Sequence, residues 1–174
     1  MKKRRILLRA FGSEEIERTL EWVNDDEVTR YTGTSSPISA QEHKTYWERE
    51  LKNQARRTFS IFTSDGRHIG NIGLRNIDWI ARNAELYVYI GDDKFRDKGY
   101  GSEAIEALVE FAFERLNLHK VFARVFEYNE RGMKSFKKCG FTEEGVLKEH
   151  VFRNGKYHDV TILGVIRKEQ RSVS

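Results

Sequence analysis

The sequence predicts an α/β fold: a mixed central sheet of about seven strands with about four helices on its faces. Three observations carry this. Glu85 to Phe113 reads as a strand, a glycine-bearing loop and an amphipathic helix in succession. Around it, segments rich in β-branched and aromatic residues alternate with segments of helical period. Two hairpin signals, Asp65-Gly66 and Asn154-Gly155, join neighbouring strands directly.

The elements follow in order. Ile6 to Phe11 forms the first strand. Ser13-Glu14-Glu15 opens a helix, with a capping serine and acids in the first turn. Ile16, Leu20 and Val23 give that helix its apolar face, with Trp22 beside it, and Asn24-Asp25-Asp26 ends it. Val28 to Pro37 is irregular, with Gly33 and a Ser35-Ser36-Pro37 turn. Ser39 and Glu42 make a capping box, so a second helix runs to about Asn53 and buries Tyr46, Trp47 and Leu51. Thr58 to Thr63 alternates as a half-buried strand, turns at Asp65-Gly66, and returns as His68 to Asp78. Gly70 and Gly73 in that second strand imply a bulge or a close backbone approach. After a turn at Arg82-Asn83 comes the central strand, Leu86 to Ile90. Ile105, Leu108, Val109, Ala112 and Phe113 place the following helix against the sheet. Val121 to Phe126 is a strand; a short helix follows, with Asn129 as N-cap and Gly140 as stop. Phe141 opens the next strand, Asn154-Gly155 turns it as a second type I′ signal, and His158 to Ile166 is the last. The order is β-α-α-β-β-β-α-β-α-β-β.

The 174 residues suit a single domain with a sizeable core, spanning 1–174. Charged residues are 33% and mixed in sign, the net charge is +4, and the pI is near 9.1. That balance suits a nucleic acid or a ligand with several phosphates. The basic residues form no long block, however. The densest cluster, Lys2-Lys3-Arg4-Arg5, reads as the solvated start of a strand. The single cysteine, Cys139, excludes an intrachain disulfide and a multi-cysteine zinc site. No His/Cys/Asp spacing suggests a catalytic metal. No membrane span or signal peptide is visible, so a cytoplasmic location is expected. A short polar end follows Lys168.

The loop after the central strand carries the chemistry. It contains Arg96-x-x-Gly99-x-Gly101 at the start of a helix. Glycines let a ligand approach the backbone, and a helix N-terminus offers free N–H groups and partial positive charge to a pyrophosphate. It is not a P-loop, since no Gly-Lys-Ser/Thr follows, and the full dinucleotide fingerprint is absent.

This pattern resembles the acetyl-CoA pyrophosphate loop of the GNAT N-acetyltransferase superfamily, and the element order is similar to the GNAT fold from end to end. Asn129 sits where these enzymes often place an asparagine that contacts pantetheine or positions the helix. Lys137-Lys138-Cys139-Gly140-Phe141-x-Glu143-Glu144-Gly145 resembles a signature of the RimJ/RimL-type branch. His150 to Asp159 resembles that branch's final hairpin. The branch acetylates protein N-termini, and it includes relatives that acetylate spermidine and amino sugars.

The resemblance implies that Val88, Tyr89 and Ile90 pair with pantetheine like an added strand. It implies that Arg96, Asp97, Lys98, Gly99, Tyr100 and Gly101 cradle the diphosphate through their N–H groups, with the Ser102 hydroxyl beside them. Amine attack needs a base. Glu85 is the first choice, with Tyr87, Tyr89, Tyr128, His150 and His158 as alternatives. Many relatives protonate the leaving thiolate with a tyrosine; the matching residue here is Phe136, which has no hydroxyl. Cys139 reads as a small buried residue, with direct transfer and no acyl-enzyme expected.

Three functions compete. The leading one is acetyl-CoA-dependent acetylation of a primary amine: a protein N-terminus, a polyamine or an amino sugar. Glu14, Glu15, Asp25, Asp26, Glu27 and Glu42 are the acids available to hold a polyamine. Phe136 favours the second, a non-catalytic acyl-CoA-binding module. The basic N-terminus and pI favour the third, a nucleic-acid or ribosome-surface binder. The leading reading expects a small-molecule or peptide amine as partner, with no membrane and no nucleic acid, and is compatible with a homodimer.

Overall fold

Seven strands form one sheet in the order β1-β2-β3-β4-β5-β7-β6. They are β1 (Ile6–Ala10), β2 (Arg57–Thr63), β3 (His68–Asp78), β4 (Asn83–Ile90), β5 (Lys120–Phe126), β6 (Thr142–Arg153) and β7 (Lys156–Ile166). The structure, a computed structural model, describes residues 4–33 and 36–168. Lys2 and Lys3 of the basic cluster, Ser35 of the expected turn, and the polar end after Lys168 lie outside the described residues. All neighbouring strands are antiparallel except β4 and β5, which run parallel.

The helices are α1 (Ser13–Val23), α2 (Asp26–Thr29), α3 (Ala40–Glu50), α4 (Tyr100–Glu114) and α5 (Glu130–Lys138). The sequence reading lacked α2, a single turn whose N-cap, Asp25, accepts from the Glu27 N–H. Four residues are too few to show a period. Gly12, not Ser13, caps α1: its N–H donates to the Glu15 carboxylate at 3.0 Å. Trp22 and Thr19 are the buried residues of that helix, while Ile16, Leu20 and Val23 are half-buried. On α3 only Trp47 of the expected three is buried; Tyr46 and Leu51 are exposed. The capping box of Ser39 and Glu42 forms as expected. So does the cap of α5, where the Asn129 side chain accepts from Gly132 N–H at 2.9 Å.

The core lies between the sheet and α4, which buries Ala104, Ile105, Leu108 and Ala112 against Ile72, Leu74, Leu86 and Val121. Gly70 and Gly73 pass close to β4: a Cβ on either would enter Tyr89 backbone or the Tyr87 ring. The β2–β3 register also slips at Ile61/Phe62, opposite this region. At the Asn154-Gly155 turn both residues are left-handed, with φ of 49° and 81°, as a type I′ turn requires. The Asp65-Gly66 turn differs. Only Gly66 is left-handed there, and Thr63 and Arg67 close a three-residue loop. That is a type I turn followed by a left-handed glycine.

Candidate active site

The parallel pairing of β4 with β5 is short. It joins Asn83 to Lys120, Ala84 to Val121 and Glu85 to Phe122, and then stops. From Leu86 to Ile90, β4 pairs only with β3. The opposite backbone edge of Val88 and Ile90 therefore faces a gap. A strand edge with unpaired N–H and C=O groups is a template for another extended chain.

A cavity of about 160 Å³ fills this gap. Eleven of the predicted donor-site residues line it: Val88, Tyr89, Ile90, Arg96, Asp97, Gly99, Tyr100, Gly101, Ser102, Asn129 and Phe136. Lys98 is not among them. Its ammonium donates to the Lys94 carbonyl at 2.6 Å, and its own carbonyl accepts from Arg5.

The loop into α4 is built in two parts. Arg96 locks the first. Its guanidinium donates to the carbonyls of Ile90 (3.0 Å) and Gly91 (2.6 Å) and pairs with Asp25 (3.0 Å). The Arg96 N–H is spent on the Asp93 carbonyl. Arg96 thus ties the loop to the end of β4, and its N–H is not free to join a diphosphate cradle. The second part turns sharply through left-handed Asp97 (φ 59°) and Gly99 (φ 84°). It ends at Tyr100, Gly101 and Ser102, whose N–H groups have no intrahelical acceptor at the start of α4. A Cβ on Gly101 would stand 3.9 Å from Ile90 Cγ1, an ordinary contact. The fold therefore does not demand a glycine at 101, and the space left there belongs to the cavity. Arg131 on α5 pairs with Asp97 at 2.8 Å beside it. This backbone and charge arrangement fits a diphosphate.

A second cleft, of about 690 Å³, opens on the other face of β4. Val88, Tyr89, Asn129 and Phe136 line both cavities. A thioester on one side and an amine on the other can meet only at such a shared wall. Phe136 is 6% exposed and packs edge-to-face on Phe141, with centroids 5.0 Å apart. It is both core and site wall.

Glu85, Tyr87 and Tyr89, at alternate positions of β4, line the second cleft. Glu85 is 2% exposed. Arg124 donates to its two oxygens at 2.9 Å each, Arg75 adds a bond of 2.7 Å, and Asn76 one of 3.3 Å. Burial raises its proton affinity, but the hydrogen bonds and charges of Arg75 and Arg124 outweigh that and hold the carboxyl below its ordinary value. The Tyr87 hydroxyl meets Arg56 (3.0 Å) and Thr58 (2.8 Å), and Tyr89 accepts from Asn71 (2.7 Å). Burial pushes both phenols up. Tyr128 stands apart, in a neighbouring groove with His158. It donates to the Arg30 carbonyl at 2.9 Å, and burial raises it too. His158, one of the alternative bases, is 7% exposed and bonds Glu127 at 2.7 Å. His150 is exposed along the second cleft. Burial drives the Cys139 thiol to about 11, which suits a packing residue rather than a nucleophile.

The sequence reading missed Arg75, Arg124 and Arg56. Arg124 shares a face of β5 with Phe122 and Phe126 and alternates with buried Ala123 and Val125, so its face was readable; its partner across the sheet was not.

Residues 5–142 match the acetyltransferase (GNAT) domain family. The chain is 27% identical over 164 residues to a spermidine N(1)-acetyltransferase of Vibrio cholerae, covering 94% of each. It is 32% identical over 126 residues to a probable N-acetyltransferase of Bacillus subtilis, covering 72% of this chain and 70% of that one. A crystal structure of the Vibrio cholerae spermidine N-acetyltransferase with CoA and spermine superposes with a TM-score of 0.89 at 27% identity, over 93% of this chain and 95% of that one. The chain belongs to the GNAT acetyltransferase family. It is an acetyl-CoA-dependent N-acetyltransferase.

Proposed function

We propose that acetyl-CoA lies along the open edge of β4, its diphosphate over Asp97 to Ser102, and that a primary amine enters from the second cleft. One observation carries this: two cavities on opposite faces of β4 share Val88, Tyr89, Asn129 and Phe136. The amine nitrogen attacks the thioester carbonyl, a C–N bond forms, the C–S bond breaks, and the thiolate takes the proton the amine gives up. Both substrates are held together, which supplies much of the rate by proximity.

Glu85 acts in this scheme as a positioning residue and not as the base. Its oxygens are occupied by two guanidiniums, and its lowered proton affinity opposes proton capture. Tyr128 donates its proton to a backbone carbonyl outside the shared wall. The amine proton therefore leaves through water. The Gly140-Phe141 stop after α5 supports placing the chain in the RimJ/RimL-type branch. The outer strand β6, exposed from Thr142 to His150 and including Val146 and Leu147, supports pairing with a second copy.

The test combines binding and turnover. CoA and acetyl-CoA raise the melting temperature, and free thiol appears only when an amine is added. No thermal response to CoA, or thiol release independent of amine, overturns the assignment.

A further inference from the structure

The acceptor cleft is basic. Four arginines line it, Arg56, Arg75, Arg124 and Arg153, against two carboxylates, Glu42 and Glu85. Glu85 is closed to a cationic substrate; Glu42 is exposed, and both of its bonds from Ser39 fall on one oxygen, Oε2, so two carboxylates still stand against four guanidiniums. Glu85 is shared by Arg75 and Arg124. Glu42 accepts the Ser39 N–H (2.9 Å) and hydroxyl (2.6 Å) at the start of α3. Arg56 has its own partner, Glu50, at 3.1 Å. Even with Glu50 counted, four guanidiniums face three carboxylates. His43 adds no charge: burial lowers its proton affinity, and its Nε2 sits 3.0 Å from the Ile16 carbonyl.

Two of these arginines are incompletely satisfied. Arg153 makes one hydrogen bond, to the Thr32 carbonyl at 3.3 Å. The Nε atoms of Arg75 and Arg153 are buried and have no acceptor among the described residues. Buried guanidinium N–H groups without acceptors are a cost unless a ligand supplies oxygens. The other acids considered for a polyamine are committed elsewhere or lie off this cleft: Asp25 to Arg96, Glu15 to Gly12, Asp26 and Glu27 in the adjoining groove with Arg30 and Lys156, and Glu14 exposed in the first turn of α1 and not among the lining residues.

We propose that the acceptor is a small amine that also carries an acidic oxygen group, a carboxylate or phosphate, held by Arg75, Arg124 and Arg153. This rests on the N-acetyltransferase reading above. It separates the chain from its spermidine-acetylating relatives by substrate charge. A polyamine brings several positive charges into a cleft that already has a surplus; an amine with an oxyanion meets the solvent-facing guanidiniums of Arg75 and Arg124, whose side chains are 41% and 39% exposed.

Matched pairs test it. The wild-type enzyme is assayed with an amino acid and its amide, with glucosamine phosphate and glucosamine, and with spermidine and spermine. The acidic member of at least one pair shows kcat/KM about tenfold or more above its neutral partner, and both polyamines fall below it. Which pair shows the effect distinguishes carboxylate from phosphate. Arg153→Gln and Arg75→Gln shrink that ratio through KM for the acceptor, while the CoA-induced thermal shift shows each variant still folded. Equal values within both pairs, a preference for polyamines, or a ratio untouched by both variants overturns the proposal and leaves the acetyltransferase reading standing. Failure of every amine to release thiol overturns both.

Discussion

Glu85 on β4 and Arg124 on β5 form a two-bond carboxylate–guanidinium pair, 2.9 Å each, just where the two strands part. Glu85 pairs with Phe122, the last residue of β5 that pairs with β4, and Arg124 is two residues further on. The side-chain pair bridges the strands at the point where backbone hydrogen bonding ends. It marks the boundary between the paired sheet and the gap proposed for the donor.

Glu85→Gln tests this role. The variant keeps the shape but leaves Arg75 and Arg124 without a countercharge. Breaking such a pair costs about 3 kcal/mol, at the low end of the buried range because both arginines are partly solvated. The melting temperature falls by several degrees. The pH–rate profile keeps its shape if, as proposed, Glu85 does not take the proton; loss of the acid limb would return it to the mechanism. Since the folded carboxyl sits below its ordinary value of 4.5, its contribution to stability is present above that pH and fades as pH drops beneath it. The variant's stability curve is correspondingly flatter in acid.

Two histidines set a second acid limit. His43 and His68 are each 4% exposed, and burial lowers both from 6.5. His68 Nε2 meets the Gly70 carbonyl (3.0 Å) and Asn71 Oδ1 (2.9 Å), so it is a neutral donor. Between the lowered folded value and 6.5, the unfolded chain binds more protons than the folded one, and stability rises with pH. Their contribution is therefore complete above 6.5 and declines below it. Urea melts from pH 5 to 7.5 show that decline in wild type and a shallower one in His68→Gln. A pH-independent midpoint over this range would contradict it.

Two glycines separate fold from function. A Cβ on Gly91 would lie inside the indole ring of Trp22, which packs against the end of β4. Gly91→Ala therefore overpacks a rigid ring, costs about 1–3 kcal/mol, and shifts the tryptophan fluorescence. Gly101 has only Ile90 Cγ1 near its missing Cβ. Gly101→Val keeps a near wild-type melting temperature and loses most of the thermal shift produced by CoA. A Gly101→Val protein that still responds fully to CoA would remove this residue from the donor site.

The donor side was legible because its signals are local. Glycines, a helix start and an Asn129 cap lie within short stretches, and backbone N–H geometry follows from them. The acceptor side was not. Arg75, Glu85 and Arg124 come from three strands, and their meeting depends on sheet order. For the same reason Glu85 read as a free carboxylate. Trp22 was set beside the apolar face of its helix because the pocket that buries it is made by Gly91, far along the chain. The short helix α2 carried no period at all.

Phe136→Tyr tests the leaving-group side of the reaction. Phe136 lines both cavities and stands at their shared wall. A phenol with an ordinary pKa near 10 there offers a donor to a developing thiolate whose thiol lies near 8.5. The proton need not transfer fully; a hydrogen bond that strengthens as charge grows on sulfur lowers the barrier. Single-turnover acetyl transfer rises roughly tenfold, a modest share of what a well-placed general acid provides. Steady-state turnover follows only to the point where product release limits it. The same substitution reports on packing. Phe136 is 6% exposed and rests on Phe141, so a hydroxyl turned into the core would be unsatisfied and cost roughly 1–3 kcal/mol. A faster single turnover with an unchanged melting temperature places the ring edge at the sulfur. A lower melting temperature with no gain in rate shows that Phe136 packs the core and takes no part in the departure of CoA.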